Sequence, residues 1–489
     1  MKLIIKLFSE ITVKSASVRM RFIHILARNI RNVLKNYHQL ITVIPFWDHI
    51  DVCFRNHYHV KYCEISRILM YIPGIQYIMK VEECFWNNML DIYQKTFDMH
   101  HKFLIGKTFC VRVKRLGKHT FTSQDIERYL GCGLKKNVQG TCVNLINPEY
   151  KILLQIYHNK LIFILDKIKG LGGFPIGTQQ NILSLISGGF DSAVSSYMLI
   201  KRGCRVHYCF FNFFGEDYKY YIYNIVYHLW SNFSVSHSVM FVSIDFYLVT
   251  DALLQNVNSS SIGVVLKRMM IRAASMVAKK YNIKALSTGE VLGQVSSQTL
   301  QNLHVIDKVS DKLILRPLIS YNKEDIIRIA REIGTERFSK YVPEYCGLFS
   351  KSSVIYAIED TIIAEEKKFD FSFLLFDAIK QAKVLDVSKM YMQVTDGLDN
   401  PIEVTNIVRK NDIILDIRPL DIANNVPVLG INMDCVEVKV IPFYKLVNQF
   451  MQLDKNRFYL LYCDRGVMSR IQARFLYTKG FKNVKVYRP

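Results

Sequence analysis

One six-residue string, SGGFDS at residues 187–192, constrains this chain more than any other feature of its sequence. It follows a short apolar run, residues 182–186, and precedes an apolar helical pattern, residues 193–199. A glycine turn between a strand and a helix lets backbone N–H groups approach an anion closely, and the positive end of the helix dipole lies behind them. The string therefore predicts a phosphate-binding loop at the start of a helix.

The composition limits the class of protein. The chain has 489 residues, half of them apolar, which indicates several folded domains. No apolar run reaches the roughly 20 residues that span a bilayer, and Lys6 and Glu10 interrupt the start before an export signal could form, so a cytoplasmic protein without membrane contact is expected. The 11 cysteines include no C-x-x-C pair. They indicate neither a secreted disulfide framework nor a zinc ribbon, and most of them are expected to be buried thiols.

The charge indicates a polyanionic partner. The formal net charge is +22, although an overall bias towards Ile, Lys, Asn, Tyr and Phe adds lysine without adding function. Basic residues cluster at 102–128 and, at helical spacing, at 14–35. Residues 108–115 alternate like a strand with one apolar and one basic face. Nucleic-acid binding and an ordinary solvated face both remain open for each cluster.

Breaks along the chain predict its organisation. Four glycines and a proline at 170–177 mark a domain boundary. Strand-like runs then alternate with helical stretches, as in a parallel sheet covered by helices. The charged stretch 360–370 and the polar stretch 395–411 suggest a second linker, and the remainder, to residue 489, is expected to form a small α/β unit.

Cys463 is the first candidate for covalent chemistry. It follows an apolar strand and opens the string CDRGVMSR, residues 463–470, after which a helix is predicted. Backbone N–H groups, the helix dipole and two arginines would give its sulfur thiolate character. The alternative is a buried structural cysteine. Cys346, in the string PEYCG, is by itself more typical of a structural cysteine.

Other candidates lie at strand ends and helix starts. Lys323 falls in the first turn of a predicted helix, which is unfavourable against the dipole unless an anion lies nearby, although Glu324 and Asp325 offer an ordinary explanation. The strings STGE, residues 287–290, and SSQT, residues 296–299, are of the kind that form nucleotide sites in open α/β sheets.

These strings together carry a family resemblance. SGGFDS resembles the PP-loop of ATP pyrophosphatases, and CDRGVMSR resembles the active-site loop of rhodanese domains. With IIKLF at 4–8, FCVRVKR at 109–115, GGFPIGTQ at 172–179, LKRMM at 266–270, GQVSSQT at 293–299 and PEYCG at 343–347, the whole chain resembles the tRNA sulfurtransferases that make 4-thiouridine. The match is weaker at 51–66, 214–224 and 384–411.

The resemblance implies an α/β multidomain fold. Its parts would be an N-terminal ferredoxin-like domain at 1–62, a THUMP RNA-binding α+β domain at 63–167, a PP-loop ATP pyrophosphatase parallel-sheet domain at 168–394, and a C-terminal rhodanese-like α/β domain at 404–489.

The resemblance also implies a reaction. ATP with Mg²⁺ would activate uridine 8 of tRNA as an adenylate, with Asp191 and Lys323 serving this step. A cysteine desulfurase would load Cys463 with a persulfide, whose sulfur replaces the adenylated oxygen, directly or as released sulfide. Cys346 would then form a disulfide with Cys463, and sulfur delivery to a thiamine sulfur carrier protein is also implied. The implied ATP-binding residues are Leu185, Ile186, Ser187, Gly188, Gly189, Asp191, Ser192, Lys267, Gly289 and Gln298.

Two rival interpretations remain at this stage. Another PP-loop ATPase, such as a lysidine synthase or an amidotransferase-coupled synthetase, would not need the persulfide loop around Cys463. A sulfur carrier or RNA-binding module with an inert PP-loop would not need Asp191, Ser192 and Lys323.

Overall fold

The computed structural model describes residues 2–37, 41–54, 62–213, 216–339, 354–390, 402–409, 411–418, 423, 428, 436–463 and 467–489. The chain divides into two compact units, Met1–Thr178 and Gln179–Pro489. No helix in the described ranges is both long and apolar enough to cross a membrane.

The first unit contains one eight-stranded sheet with the order β2-β3-β1-β4-β8-β7-β5-β6. Neighbouring strands are antiparallel, except that β5 runs parallel to both β7 and β6. The elements are β1 (Lys2–Leu7), α1 (Ser9–Thr12), α2 (Ala16–Val33), β2 (Ile41–Pro45), β3 (His49–Phe54), α3 (Tyr62–Leu69), β4 (Ile75–Phe85), α4 (Met89–Leu104), β5 (Thr108–Leu116), α5 (Ser123–Asn137), β6 (Cys142–Val143), β7 (Tyr150–Tyr157) and β8 (Lys160–Lys169).

Two apolar clusters fill this unit. In the first, Leu26 of α2 and Ile65 of α3 pack against β1 and the start of β4, so the boundary predicted between residues 62 and 63 divides a single cluster. In the second, α4 and α5 pack against β5, β7 and β8. The glycine-rich segment 170–177 joins the first cluster, because the ring of Phe174 meets Phe22 edge-on at 5.5 Å.

The second unit contains two sheets. Its elements are β9 (Asn181–Leu185), α6 (Phe190–Lys201), β10 (Arg205–Asn212), α7 (Glu216–Leu229), β11 (Met240–Asp245), α8 (Tyr247–Asn256), α9 (Ile262–Lys280), β12 (Ala285–Ser287), α10 (Leu300–Asp307), β13 (Leu313–Leu315), α11 (Lys323–Glu332), α12 (Glu336–Ser339), α13 (Glu359–Glu366), α14 (Phe371–Lys380), β14 (Lys383–Asp386), β15 (Val404–Thr405), β16 (Ile413–Asp416), β17 (Val438–Val440), α15 (Phe443–Phe450), β18 (Tyr459–Tyr462), α16 (Val467–Thr478) and β19 (Val484–Tyr487).

The larger sheet has the order β13-β12-β9-β10-β11-β14 and is parallel except for β14, which runs antiparallel to β11. The smaller sheet, β15-β19-β18-β16-β17, is parallel throughout. Alternation of strands and helices, predicted from the sequence, is thereby confirmed. Helices α8 and α9 bury apolar residues against the larger sheet, where Val249, Leu253, Val265 and Met269 are fully or almost fully enclosed.

The predicted linker at 360–370 is wrong. Most of this stretch belongs to α13, and its buried acid, Glu366, is paired within the fold. Glu366 is buried and accepts hydrogen bonds from Arg268 (Nε–Oε1 2.6 Å) and Arg272 (Nη1–Oε1 2.8 Å), both on α9. A charged stretch can therefore line a helix interface when each carboxylate meets a guanidinium.

The expectation that most cysteines are buried is also wrong for the described part of the chain. Only Cys110, Cys204 and Cys209 are buried there, whereas Cys63, Cys132 and Cys142 are among the exposed ones.

The Glu366 cluster generates a stability prediction. Replacing Glu366 by Gln leaves the buried Arg268 without a full counter-charge, so we expect the free energy of unfolding to fall by about 3–5 kcal/mol. Asp360→Asn, on the exposed face of the same helix, is the matched control and should change it by less than about 0.5 kcal/mol. Urea denaturation measures both, and equal effects would contradict the assignment.

Candidate nucleotide site and candidate sulfur site

The SGGFDS loop lies at the carboxyl end of β9, between β12 and β10. Within the sheet, β10 and β11 lie on one side of strand β9, and β12 and β13, which come later in the chain, lie on the other side of it. The strand order therefore reverses at β9. Open α/β sheets bind ligands in the crevice at such a switch point.

Ser192 closes the loop on itself. Its Oγ accepts a hydrogen bond from the backbone N–H of Ser187 (3.1 Å) and lies 3.1 Å from Ser187 Oγ. Helix α6 begins at Phe190, and its N-cap Gly189 provides no side-chain cap for the first N–H groups. The loop thus turns the N-terminus of a helix towards the crevice with donors available for an anion.

Gly289 packs directly against the first turn of α6. A Cβ built on it would lie 2.6 Å from the carbonyl carbon of Asp191 and 2.6 Å from the backbone nitrogen of Ser192. Such distances are far too short for any side chain. Only glycine permits the segment after β12 to approach the loop this closely.

Asp191 and Lys323 form an ion pair, with Lys323 Nζ 2.9 Å from Asp191 Oδ1. The side-chain amide of Gln294 donates to the other oxygen, Oδ2, at 3.0 Å. The anion near the first turn of α11 is therefore the carboxylate of Asp191, which belongs to the loop. Sequence reasoning identified Asp191 and Lys323 but missed Gln294, whose position becomes evident only when the loop after β12 is folded over the crevice.

Lys267 pairs with Glu290, the last residue of the STGE string, to which sequence reasoning assigned no role of its own. Its Nζ lies 2.7 Å from Oε1 of Glu290, and Nε of Arg316 lies 2.8 Å from Oε2. Burial alone would raise the pKa of Glu290, but the charges of Lys267 and Arg316 outweigh it and lower this pKa to about 2. Glu290 and Arg316 follow β12 and β13, and the one available signal was that both lie just beyond strand ends.

Gln298 and the end of β9 complete the predicted nucleotide site. Oε1 of Gln298 is buried and has no hydrogen-bond partner in the described ranges, as expected of an acceptor that a ligand satisfies. Leu185 is half-buried and Ile186 is buried, so the strand end offers an apolar wall. The unsatisfied acceptor and the close approach of Gly289 both fit a bound adenine nucleotide.

Asn302 is a buried residue that sequence reasoning missed. Its side-chain amide donates to the carbonyls of Ser296 and Val354, each at 2.8 Å, and accepts from the N–H of Ala357 at 2.8 Å. It thereby ties the loop that carries Gln298 to the segment that begins at residue 354.

Cys463 lies directly after β18, before α16. Its Sγ is 3.3 Å from the backbone nitrogen of Ser469, which donates to it, and 3.4 Å from Ser469 Oγ. Ser469 is fully buried in the first turn of α16. The sulfur therefore faces the N-terminus of a helix and accepts a hydrogen bond from its first turn.

Strand β16 pairs with β18, and its last residue lies opposite Tyr462, the residue before Cys463. Asp416, the last residue of β16, and Arg418 form a buried pair with Nη2–Oδ2 at 2.7 Å. The guanidinium carbon of Arg418 lies 5.0 Å from the ring centroid of Tyr462, the residue before Cys463. Residues 464–466 and Cys346 lie outside the described residues, so the predicted pairing of Cys346 with Cys463 stays a prediction.

The predicted basic surfaces are present. In β5, Phe109, Val111 and Val113 are buried, whereas Arg112 and Lys114 are exposed, so the strand has one apolar and one basic face. Along α2, exposed basic side chains recur at Arg21, Arg28 and Arg31. Within the described ranges, no group of three or more His, Cys, Asp or Glu residues could hold a metal ion.

The fold and the loop define a PP-loop nucleotide-binding domain, which follows a unit with a mixed eight-stranded sheet and basic surfaces. Family profiles match the ThiI ferredoxin-like domain at residues 2–78, the THUMP domain at 87–166 and the thiamine biosynthesis protein (ThiI) at 177–371. The chain is 52% identical over 489 residues to the tRNA sulfurtransferase of Sodalis glossinidius and 50% identical to that of Shigella boydii, with both chains covered completely. The chain belongs to the tRNA sulfurtransferase family.

A solved structure agrees with this assignment. It is a 4-thiouridine synthetase in complex with RNA and bound ATP, and it matches with a TM-score of 0.68 at 25% identity. The match covers 79% of this chain and 99% of that chain.

The contact at Gly289 generates a prediction. In Gly289→Ala the new methyl group must displace the first turn of α6, so we expect a loss of about 1–3 kcal/mol in the free energy of unfolding. At Gly189 an added Cβ meets only Ser187 Oγ, at 3.7 Å, so Gly189→Ala should remain close to wild type in stability. Thermal denaturation compares the two, and an unchanged melting temperature for Gly289→Ala would contradict the close packing.

Proposed function

We propose that this protein uses ATP to transfer persulfide sulfur to uridine 8 of tRNA, giving 4-thiouridine through an adenylated intermediate. The observation that carries the proposal is the presence in one chain of a PP-loop with its Asp191–Lys323 pair and of Cys463 facing a helix N-terminus. Neither rival interpretation accounts for both, because other PP-loop ATPases need no persulfide and a sulfur carrier needs no nucleotide loop.

In the first step the loop 187–192 binds the phosphates of ATP. N–H groups at the start of α6 receive the phosphate oxygens, and Lys323 and Lys267 neutralise their charge. Mg²⁺ commonly binds through one carboxylate and substrate phosphates, and Asp191 is the carboxylate positioned for this. The C4 oxygen of the uridine attacks the α-phosphate, and pyrophosphate leaves.

In the second step sulfur replaces the activated oxygen. A cysteine desulfurase supplies a persulfide on Cys463, and its terminal sulfur attacks C4, directly or after release as sulfide, while AMP leaves. On either route the thiol of Cys346 attacks the Cys463 sulfur and forms a disulfide, which expels the outer sulfur either as sulfide before the attack on C4 or as the 4-thiouridine sulfur after it. The two electrons that release the transferred sulfur therefore come from this cysteine pair. A reductant then reopens the disulfide for the next turnover.

The tRNA would be held by the N-terminal unit. The exposed face of β5, with Arg112 and Lys114, and the stripe on α2 supply the positive charge that phosphates require. We assign the domains in the predicted order, with the ferredoxin-like part extended through α3, the PP-loop part beginning at Gln179 and the small parallel sheet β15–β19 as the rhodanese-like part. We place the protein in the cytoplasm.

A second function, sulfur delivery to the thiamine sulfur carrier protein, is favoured by the position of Cys463. Cys463 follows β18 of the smaller sheet, whereas the nucleotide loop follows β9 of the larger sheet, so loading of Cys463 with sulfur uses none of the residues assigned to ATP. This function uses the same sulfur and a different acceptor.

One assay tests the main proposal. Unmodified tRNA is incubated with ATP, cysteine, a cysteine desulfurase and this protein, and 4-thiouridine is scored by its near-ultraviolet absorbance. We expect product with the wild type and none with Cys463→Ala, which cannot hold the persulfide. If neither forms product while wild-type Cys463 still gains a persulfide, the inert-loop interpretation is correct.

The role of Cys346 is tested separately. Cys346→Ser retains adenylation and the persulfide but lacks the second thiol, so without reductant we expect at most one 4-thiouridine per protein molecule. Asp191→Asn is the comparison, since it should abolish ATP–pyrophosphate exchange before sulfur transfer begins. Multiple turnover by Cys346→Ser would remove the resolving role from this residue.

A further inference from the structure

Glu290 is a buried carboxylate at the nucleotide site to which the proposed reaction assigns no role. Its side chain is 11% exposed, and both of its oxygens are engaged. Oε1 lies 2.7 Å from Nζ of Lys267, while Oε2 lies 2.8 Å from Nε of Arg316 and accepts a hydrogen bond from Thr288 Oγ1 at 3.0 Å.

The two cations depend on Glu290 to different degrees. Arg316 has a second acid, because its Nη1 and Nη2 donate to the two oxygens of Asp307 at 2.8 and 2.5 Å. For Lys267, Glu290 is the carboxylate within ion-pair distance in the described ranges. A lysine carries its charge on a flexible four-carbon stem, so the position of the ammonium depends on its partner.

The backbone position of Glu290 is set by the residue before it. The preceding residue, Gly289, is packed against Asp191 and Ser192 of the phosphate loop. Gly289, which contacts the phosphate loop, is therefore directly bonded to Glu290, which pairs with Lys267. Arg316, following the adjacent strand β13, holds the second oxygen and prevents the carboxylate from rotating.

We propose that Glu290 is a positioning residue that holds the ammonium group of Lys267 at the nucleotide site through its negative charge, without touching the nucleotide itself. The proposal rests on the proposed function, in which Lys267 binds ATP. It extends that function in two respects: Glu290 orients Lys267, and a second cation, Arg316, orients Glu290.

A double-mutant cycle tests this route. Glu290→Gln keeps the size of the side chain and removes its charge, and Lys267→Met removes the ammonium. In the 4-thiouridine assay we expect each single variant to raise KM for ATP by about tenfold or more, with a smaller change in kcat, because a charged contact to bound ATP is lost. The double variant should be no worse than Lys267→Met, since Glu290 acts through Lys267.

The controls separate positioning from stability. Glu359→Gln removes the same charge from a more exposed pair with Lys308 and should leave KM unchanged. Thermal denaturation followed by far-ultraviolet circular dichroism reports whether each variant is folded, since Glu290 and Lys267 lie with the larger sheet and not with the smaller sheet that carries Cys463. If Glu290→Gln does not fold, Glu290→Asp, which keeps the charge but shortens its reach, is measured instead with the same expected rise in KM.

Two results would overturn the proposal. One is a wild-type KM in the folded Glu290 variant. The other is a double variant in which the two effects multiply, because Glu290 would then act through Arg316 or through general stability. If the wild type forms no 4-thiouridine, the proposed function has failed instead, and calorimetric binding of MgATP to the same four proteins still tests the link between Glu290 and Lys267.

Discussion

The contact between the backbone of Gly289 and the first turn of α6 is the constraint on which the nucleotide site depends. It brings the segment after β12 within van der Waals reach of the phosphate loop after β9. Because β12 and β9 are neighbours in the sheet, the two strand ends already lie side by side. Because Gly289 has no side chain, the two segments can come into contact. This contact sets the positions of Glu290, Gln294 and Gln298, which follow it in the chain.

Charges at this site are arranged as pairs that balance one another. Lys323 faces Asp191, and Lys267 faces Glu290, which also neutralises Arg316. The lysines are thus held in place by carboxylates instead of being left to repel each other. Because the cations are already held in place, binding of a polyanion such as ATP requires less reorganisation of the site.

The sequence was sufficient for elements whose signal is local. The apolar run before SGGFDS, the glycine turn and the helical pattern after it lie within 18 residues, and β9, the loop and α6 are where this pattern predicts them. The strand at Cys463 is predicted for the same reason. Pairings between side chains that meet only after folding were not predicted. The string STGE contains Glu290, but nothing local indicates that it pairs with Lys267 and Arg316. The prediction of a linker at 360–370 was wrong because the charge of this stretch does not reveal that Arg268 and Arg272 of α9 pair with Glu366.

The long pairing between β4 and β8 has a consequence for how the N-terminal unit can be divided. Tyr77 to Phe85 of β4 lie opposite Lys169 to Lys160 of β8. Strand β4 therefore pairs both with β1, in the half of the sheet formed by β1 to β3, and with β8, in the half formed by β5 to β8. Cutting the chain between the two halves would leave β4 with a long row of unpaired N–H and C=O groups. Such an open edge recruits other chains, and fragments ending there are expected to aggregate instead of folding alone.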